Sequence, residues 1–194
     1  MSPATTAAPA SSASYTGVAI ALHWLVGAAI LGSFAVGLYM VDLQLSPQKL
    51  RIYSWHKWAG VTIFLLVLLR TSWRLSHRPP PLPDSMPAWQ IRAATATHVL
   101  LYLLMLAVPL TGWMSSSAKG FQTVYFGVLP LPDLLAKNTE LGDLLGKIHM
   151  LLNYSMAALV VAHVGAALKH HFIDRDEVLA HMIPMLRNTN GAMK

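Results

Sequence analysis

The segment from Leu144 to Phe172, LLGKIHMLLNYSMAALVVAHVGAALKHHF, decides the fold. It holds no acidic residue, and its length exceeds the ~20 apolar residues needed to cross ~30 Å of hydrocarbon at ~1.5 Å per residue. Two histidines, His149 and His163, stand inside it. An ionisable side chain within a span is costly and is usually there for function. Fourteen positions separate the two. At ~100° each they total ~1400°, about 40° short of four turns, so both rings project from one helix face, ~21 Å apart along the axis. Two cofactors can stack along that face.

Three comparable segments precede it, at about Gly17 to Val41, Ile52 to Leu75 and Ile91 to Ser115. The 194 residues are 55% hydrophobic and 11% charged, with a mean hydropathy of +0.49, too apolar for an ordinary soluble domain. The expected fold is all-α: an integral membrane four-helix bundle, a single domain over residues 15–187, with both termini on one side. Residues 1–14, MSPATTAAPASSAS, have no basic residue ahead of the first apolar stretch. They read as a disordered tail rather than a cleaved signal peptide, and residues 188–194 as a second tail.

The linkers differ in chemistry. The first, Asp42 to Arg51, is short and makes the first two helices antiparallel neighbours. Arg78-Pro79-Pro80-Pro81-Leu82-Pro83 cannot continue a helix and favours an extended segment. The third, Lys119 to Asp143, is the longest and reads as a surface cap. After the last span, Asp174-Arg175-Asp176-Glu177 resembles a capping box opening a short interfacial helix through Met182, ended by Pro184. The side with the termini carries Arg70, Arg74, Arg78, Arg92, Lys169, Arg175, Arg187 and Lys194; the other carries Lys49, Arg51, Lys57, Lys119, Lys137 and Lys147. Eight against six places both termini in the cytoplasm.

With no cysteine, the chain has no disulfide scaffold, thiolate-held cluster, covalently attached haem or cysteine nucleophile. Metal chemistry must use histidine. The net charge of +6, in so apolar a chain, points to an anionic lipid bilayer rather than to nucleic acid.

Five of the nine histidines fall within spans: His23, His56, His98, His149 and His163. Depth suggests partners. His23 and His163 lie in the cytoplasmic half, His56 and His149 in the outer half, and each pair can clamp a haem iron through neutral imidazole nitrogens. A zinc path would ordinarily bring acidic residues into the spans, and all eight lie outside them. His98 has nearly the same depth as His23 and His163, so depth leaves open which two of these three hold the inner haem.

The motifs Leu22-His23-Trp24, Trp55-His56-Lys57, Lys147-Ile148-His149, Ala162-His163 and Lys169-His170-His171-Phe172 resemble the bacterial cytochrome b561 family, from about Tyr15 to Arg187. The resemblance implies a four-helix bundle of the bacterial inner membrane with two haem b groups, ligated by His23, His56, His149 and His163. It turns His98 into a neighbour of the haem or its propionates. The family includes a superoxide oxidase, which passes electrons from superoxide outside the membrane to ubiquinone; other members are haem subunits of larger oxidoreductases.

The other candidates each have a plainer reading. Arg70 and Arg74, one turn apart, either hold haem propionates or a quinone head group, or anchor the cytoplasmic end of their span. His170 and His171 either bind a quinone oxygen and shuttle its proton or sit at the interface, and the resemblance favours His170 for the chemistry. Lys119 and Gly120 match a basic-Gly pair of the family that draws an anion such as superoxide toward the outer haem, against ordinary solvation of a loop lysine. The six tryptophans read as interfacial anchors. Gly27, Gly60 and Gly165 admit a porphyrin or, more commonly, pack helices together. His77 and His181 are expected in solvent.

The functional expectation is therefore a di-haem membrane oxidoreductase linking an external donor, superoxide first, to ubiquinone. The alternative is a haem-bearing relay or anchor for a larger dehydrogenase or reductase. A structural or metal-transport bundle is the non-redox reading, and the oligomeric state stays open, a homodimer included.

Overall fold

The computed structural model describes residues 14–81 and 86–186. The tails expected at residues 1–14, Ser14 excepted, and 188–194, the positions of Arg187 and Lys194, and part of the proline linker lie outside those residues.

Four helices carry the fold: α1 (Gly17–Val41), α2 (Pro47–Ser76), α3 (Ala88–Ala118) and α4 (Thr139–Lys169). All four are long and apolar enough to cross a membrane. Polar side chains cap the starts of three of them. Thr16 Oγ1 accepts from Ala19 N at 3.2 Å and Ser46 Oγ from Lys49 N at 3.2 Å, with Pro47 preset for the first turn. Asn138 Oδ1 accepts from Leu141 N at 3.0 Å, and Glu140 adds a favourable charge in the first turn of α4.

The cluster of buried side chains at the centre of the described residues joins three helices, while α4 adds buried Leu145 and Met156. Val26 of α1 packs with Ile63 and Val67 of α2, backed by Ala29, Ile30, Leu66 and by Met105 and Leu106 of α3. α4 joins through α3, where Ser115 Oγ donates to Gly142 O at 2.8 Å. A Cβ at Gly142 would lie 2.6 Å from Lys119 Cγ, so the close approach of these two helices requires glycine there. α1 and α4 do not pack extensively against each other.

The third linker is more ordered than a surface cap. Two short strands, β1 (Val124–Tyr125) and β2 (Leu129–Pro130), pair antiparallel around Phe126 (φ 51°) and Gly127 (φ 73°), the two left-handed residues of a tight primed turn. The hairpin lies along α2: Trp58 Nε1 donates to Val124 O at 2.7 Å, and the Thr62 hydroxyl meets the Tyr125 hydroxyl at 2.8 Å. Lys57 Nζ donates to Ser116 Oγ and to the carbonyls of Phe121 and Gln122 at 3.1–3.3 Å, fixing the start of this loop.

The expected C-terminal helix does not form. α4 widens into a π turn, His170–Asp174, and Arg175 (φ 55°) reverses the chain in the left-handed region. Asp174 is engaged by Lys169 and cannot cap a new helix, while Asp176 Oδ1 accepts from Val178 N at 3.0 Å in a local turn. Isolated turns follow, and Pro184 opens a 3-10 turn, Pro184–Leu186, instead of closing a helix. This strap is tied to the start of α1, where Trp24 Nε1 donates to Met182 O at 2.9 Å and Tyr15 meets His181 edge-on.

Candidate functional site: paired histidines at two levels

The first level lies between α2 and α4. His56 and His149 face each other with ring centroids 6.3 Å apart and planes at 86°. They border a cleft lined also by Ile30, Ser33, Gly60, Met105, Pro109 and Met156, so all four helices contribute to it. The seat of His149 is built by α3. Its Nδ1 lies 2.9 Å from Val108 O, and since a carbonyl only accepts, Nδ1 carries the proton and Nε2 keeps its lone pair. Thr111 Oγ1 lies 3.4 Å from the same nitrogen. A Cβ at Gly112 would stand 2.9 Å from His149 Cε1, so the ring reaches that carbonyl only because Gly112 has no side chain. Pro109, inside the helix, lacks the N–H that would bond the Met105 carbonyl. On the opposite side, His56 Nδ1 meets Ser33 Oγ at 3.3 Å.

The second level lies between α1 and α4, helices that otherwise meet sparsely, as where Phe34 packs edge-on against Tyr154. His23 and His163 have centroids 6.2 Å apart. His98 of α3 approaches His163 more closely, at 5.5 Å. Arg70 organises this level: Nη2 meets His23 Nδ1 at 3.2 Å, Nη1 donates to Ala19 O at 3.2 Å and Nε to the Tyr102 hydroxyl at 3.1 Å. A guanidinium only donates, so here Nδ1 of His23 accepts and the ring proton sits on Nε2, the reverse of His149. Arg74 lies over the Tyr102 ring, 5.6 Å from its centroid. Among the described residues neither arginine has a carboxylate partner.

The remaining expected residues are dispersed. Lys119 closes α3 and is paired with Asp143 at 2.9 Å, so its charge is already partly compensated. His170 is mostly shielded and its Nδ1 contacts Asp176 at 2.7 Å and Asp174 at 3.0 Å; His171 packs on Phe172. His77 is exposed and stacked on Trp73, whereas His181 is half-buried against Tyr15 rather than free in solvent. A Cβ at Gly27, Gly60 or Gly165 would meet nothing within 4 Å, so helix packing, the commoner reason for such glycines, does not account for these three. Trp24, Trp55 and Trp89 are exposed, as anchors should be, but the Trp113 indole nitrogen is buried without a partner among the described residues.

Sequence reasoning missed Tyr102, Ser33 and the Val108–Gly112 seat. Only the last left a signal, a proline inside an apolar span followed three residues later by a glycine.

Facing imidazole pairs held at two depths between membrane-crossing helices are the build of a membrane cytochrome. The sequence model of prokaryotic cytochrome b561 matches residues 14–185, and the chain belongs to that family of haem b proteins of membrane electron transfer. It is 36% identical over 171 residues to cytochrome b561 homolog 2 of Escherichia coli (strain K12), covering 87% of this chain and 90% of that protein. Cytochrome b561 homolog 1 of the same organism is 34% identical over 131 residues, 66% of this chain and 73% of the relative. The probable superoxide oxidase CybB of Yersinia pestis is 27% identical over 183 residues, 89% of this chain and 97% of that protein.

Proposed function

We propose that His56 with His149 and His23 with His163 each hold one haem b, and that the domain at residues 15–187 passes electrons from a donor outside the bacterial inner membrane to ubiquinone. Superoxide is the leading donor, a reading supported by the similarity to a probable superoxide oxidase. The Lys and Arg distribution supports cytoplasmic termini, which makes the His56 level the outer one.

The observation that carries the proposal is the spacing of the two pairs, 6.3 and 6.2 Å between centroids. An imidazole nitrogen lies ~1.1 Å from its ring centroid and binds a metal at ~2.0–2.1 Å, so each facing pair is spaced such that both rings could hold one iron. His98 and His163 stand closer, 5.5 Å between centroids, which leaves less room for a metal ion between the two rings. That supports His98 as a neighbour, not a ligand.

The surrounding residues fit a haem. His149 presents an unprotonated Nε2, its other nitrogen fixed by a carbonyl in the manner of metal-binding histidines. Gly27, Gly60 and Gly165 face space a flat macrocycle can use. His23 fits after one change: Arg70 must release its Nδ1, and a carboxylate-bearing group beside it offers that guanidinium, and Arg74, a better acceptor. A bound haem supplies the one-electron chemistry. The chain positions the ligands, balances charge with Arg70 and Arg74, and draws anions to the outer side through its cationic residues. Lys57, which has no ion-pair partner among the described residues, is better placed for that than Lys119. His170, at the inner end of α4, serves the quinone.

Purified protein expressed with ample haem is expected to show two haems per chain in a reduced-minus-oxidised spectrum and to reduce a soluble quinone when mixed with superoxide in stopped flow. A colourless protein refutes the haem assignment; a coloured one inert to both reagents refutes the donor and acceptor and leaves a relay.

A further inference from the structure

The geometry points to Asp176 as a positioning residue that fixes His170 as the proton relay for quinone reduction, an inference that rests on the quinone reading above. His170 follows His163 by seven positions, ~700° or about 20° short of two turns, so it continues the histidine face of α4 ~10.5 Å beyond the inner pair. The chain then builds a receptacle for one ring nitrogen. The π turn carries the backbone round, Arg175 reverses it at φ 55°, and the N–H of Asp176 bonds back to His170 O at 3.2 Å. The result sets Asp176 Oδ2 2.7 Å and Asp174 Oδ2 3.0 Å from His170 Nδ1. Two carboxylates can only accept, so Nδ1 keeps its proton in both charge states of the ring, and Nε2 is the nitrogen that exchanges.

The two carboxylates are not equivalent. Lys169 Nζ pairs with Asp174 Oδ2 at 2.7 Å, whereas Asp176 faces His170 without a cation of its own among the described residues. A divalent ion at this cluster would have to displace Lys169, which makes a proton relay the better use of it. The overall conversion takes one electron from each of two superoxide anions, releasing two O2, and adds two electrons and two protons to one quinone to give the quinol. The imidazolium gives its Nε2 proton to a quinone oxygen, and the neutral ring regains one from the inner aqueous phase. Asp176 holds the Nδ1–H and prevents the wrong tautomer.

The test is Asp176→Asn in the haem-loaded protein. Asparagine retains an oxygen for Val178 N–H, now 3.0 Å from Asp176 Oδ1, and removes the nearer of the two carboxylate charges beside His170. Quinone reduction is expected to fall about 10- to 100-fold in kcat with little change in KM, and its solvent deuterium isotope effect to rise as proton transfer becomes limiting. Haem content and the rate of haem reduction by superoxide should be unchanged, and Asp176→Glu should restore most of the turnover. Wild-type turnover with an equally fast Asp176→Asn variant and an unchanged isotope effect overturns the relay alone. Absence of quinone turnover in the wild type overturns the quinone reading, and the relay with it. If Asp176→Asn loses haem, His170→Gln with haem intact decides the matter: slow turnover with a raised isotope effect upholds the relay, and a wild-type rate and isotope effect overturn it. Protection of His170 by added zinc or nickel with no effect of Asp176→Asn on turnover would assign the cluster to a metal instead and overturn the proposal.

Discussion

Replacing Gly112 by alanine should cost the outer haem and leave the inner one. The added Cβ would lie 2.9 Å from His149 Cε1 and 3.1 Å from Nδ1. Carbon atoms in good contact stand ~3.5–4.0 Å apart, so the ring must retreat by ~0.6–1 Å or the helices must part. The Val108 backbone is fixed within α3, so the retreat stretches the 2.9 Å hydrogen bond that holds the ring. Metal–ligand distances tolerate only about ±0.2 Å, and losing such supporting contacts typically lowers metal affinity about 10- to 100-fold. The same change inside a helix ordinarily stabilises by about 0.5–1 kcal/mol, so a fall in haem cannot be ascribed to a weaker helix. Pyridine haemochromogen assay of purified Gly112→Ala should give half the wild-type haem per chain, and a redox titration should retain only one component. Two haems with unchanged midpoint potentials would refute the reasoning.

Other outcomes follow from the same geometry. His56→Ala and His149→Ala should each remove the outer haem alone, read as halved haem per chain; equal loss of both haems from either change would mean that the pairing is wrong. His98→Ala should keep both haems while His23→Ala loses the inner one, a contrast visible in low-temperature difference spectra. Tyr102→Phe removes the acceptor of Arg70 Nε and should shift the inner midpoint potential without changing the haem count, measured by redox titration. Lys57→Met frees three acceptors at the start of the loop, costing about 1 kcal/mol, and should hasten proteolysis near Phe121 and Gln122 with haem retained.

Helices and their order were readable because a membrane span announces itself by length and composition, and a 14-residue interval fixes a helix face whatever surrounds it. The facing of His56 with His149 and of His23 with His163 was readable for the same reason: depth follows from distance along a span. His98 was not, because depth alone cannot register a difference between 5.5 and 6.2 Å. The hairpin at Val124–Pro130 escaped because its turn pairs Phe126, an unusual residue at positive φ, with Gly127, and strands of two residues carry no periodicity. The strap after Asp174 was misread because Asp-x-x-Glu signals a cap only if the aspartate is free. Lys169 and His170 claim it first. The seat of His149 left only Pro109 and Gly112 as a trace, because the group that holds the ring is a main-chain carbonyl, which every residue carries.

α4 runs unbroken from His149 to His163, and that continuity has an electrical consequence. The ~21 Å between these two positions is about 0.7 of a ~30 Å hydrocarbon layer, so an electron moved from one level to the other traverses most of the transmembrane voltage. At ~100 mV, negative inside, the inward step opposes the field by roughly 1.6 kcal/mol. On the proposed inward route, turnover in sealed, energised vesicles should slow by about an order of magnitude when that step is limiting and recover on adding an uncoupler; a rate indifferent to the voltage would refute that route.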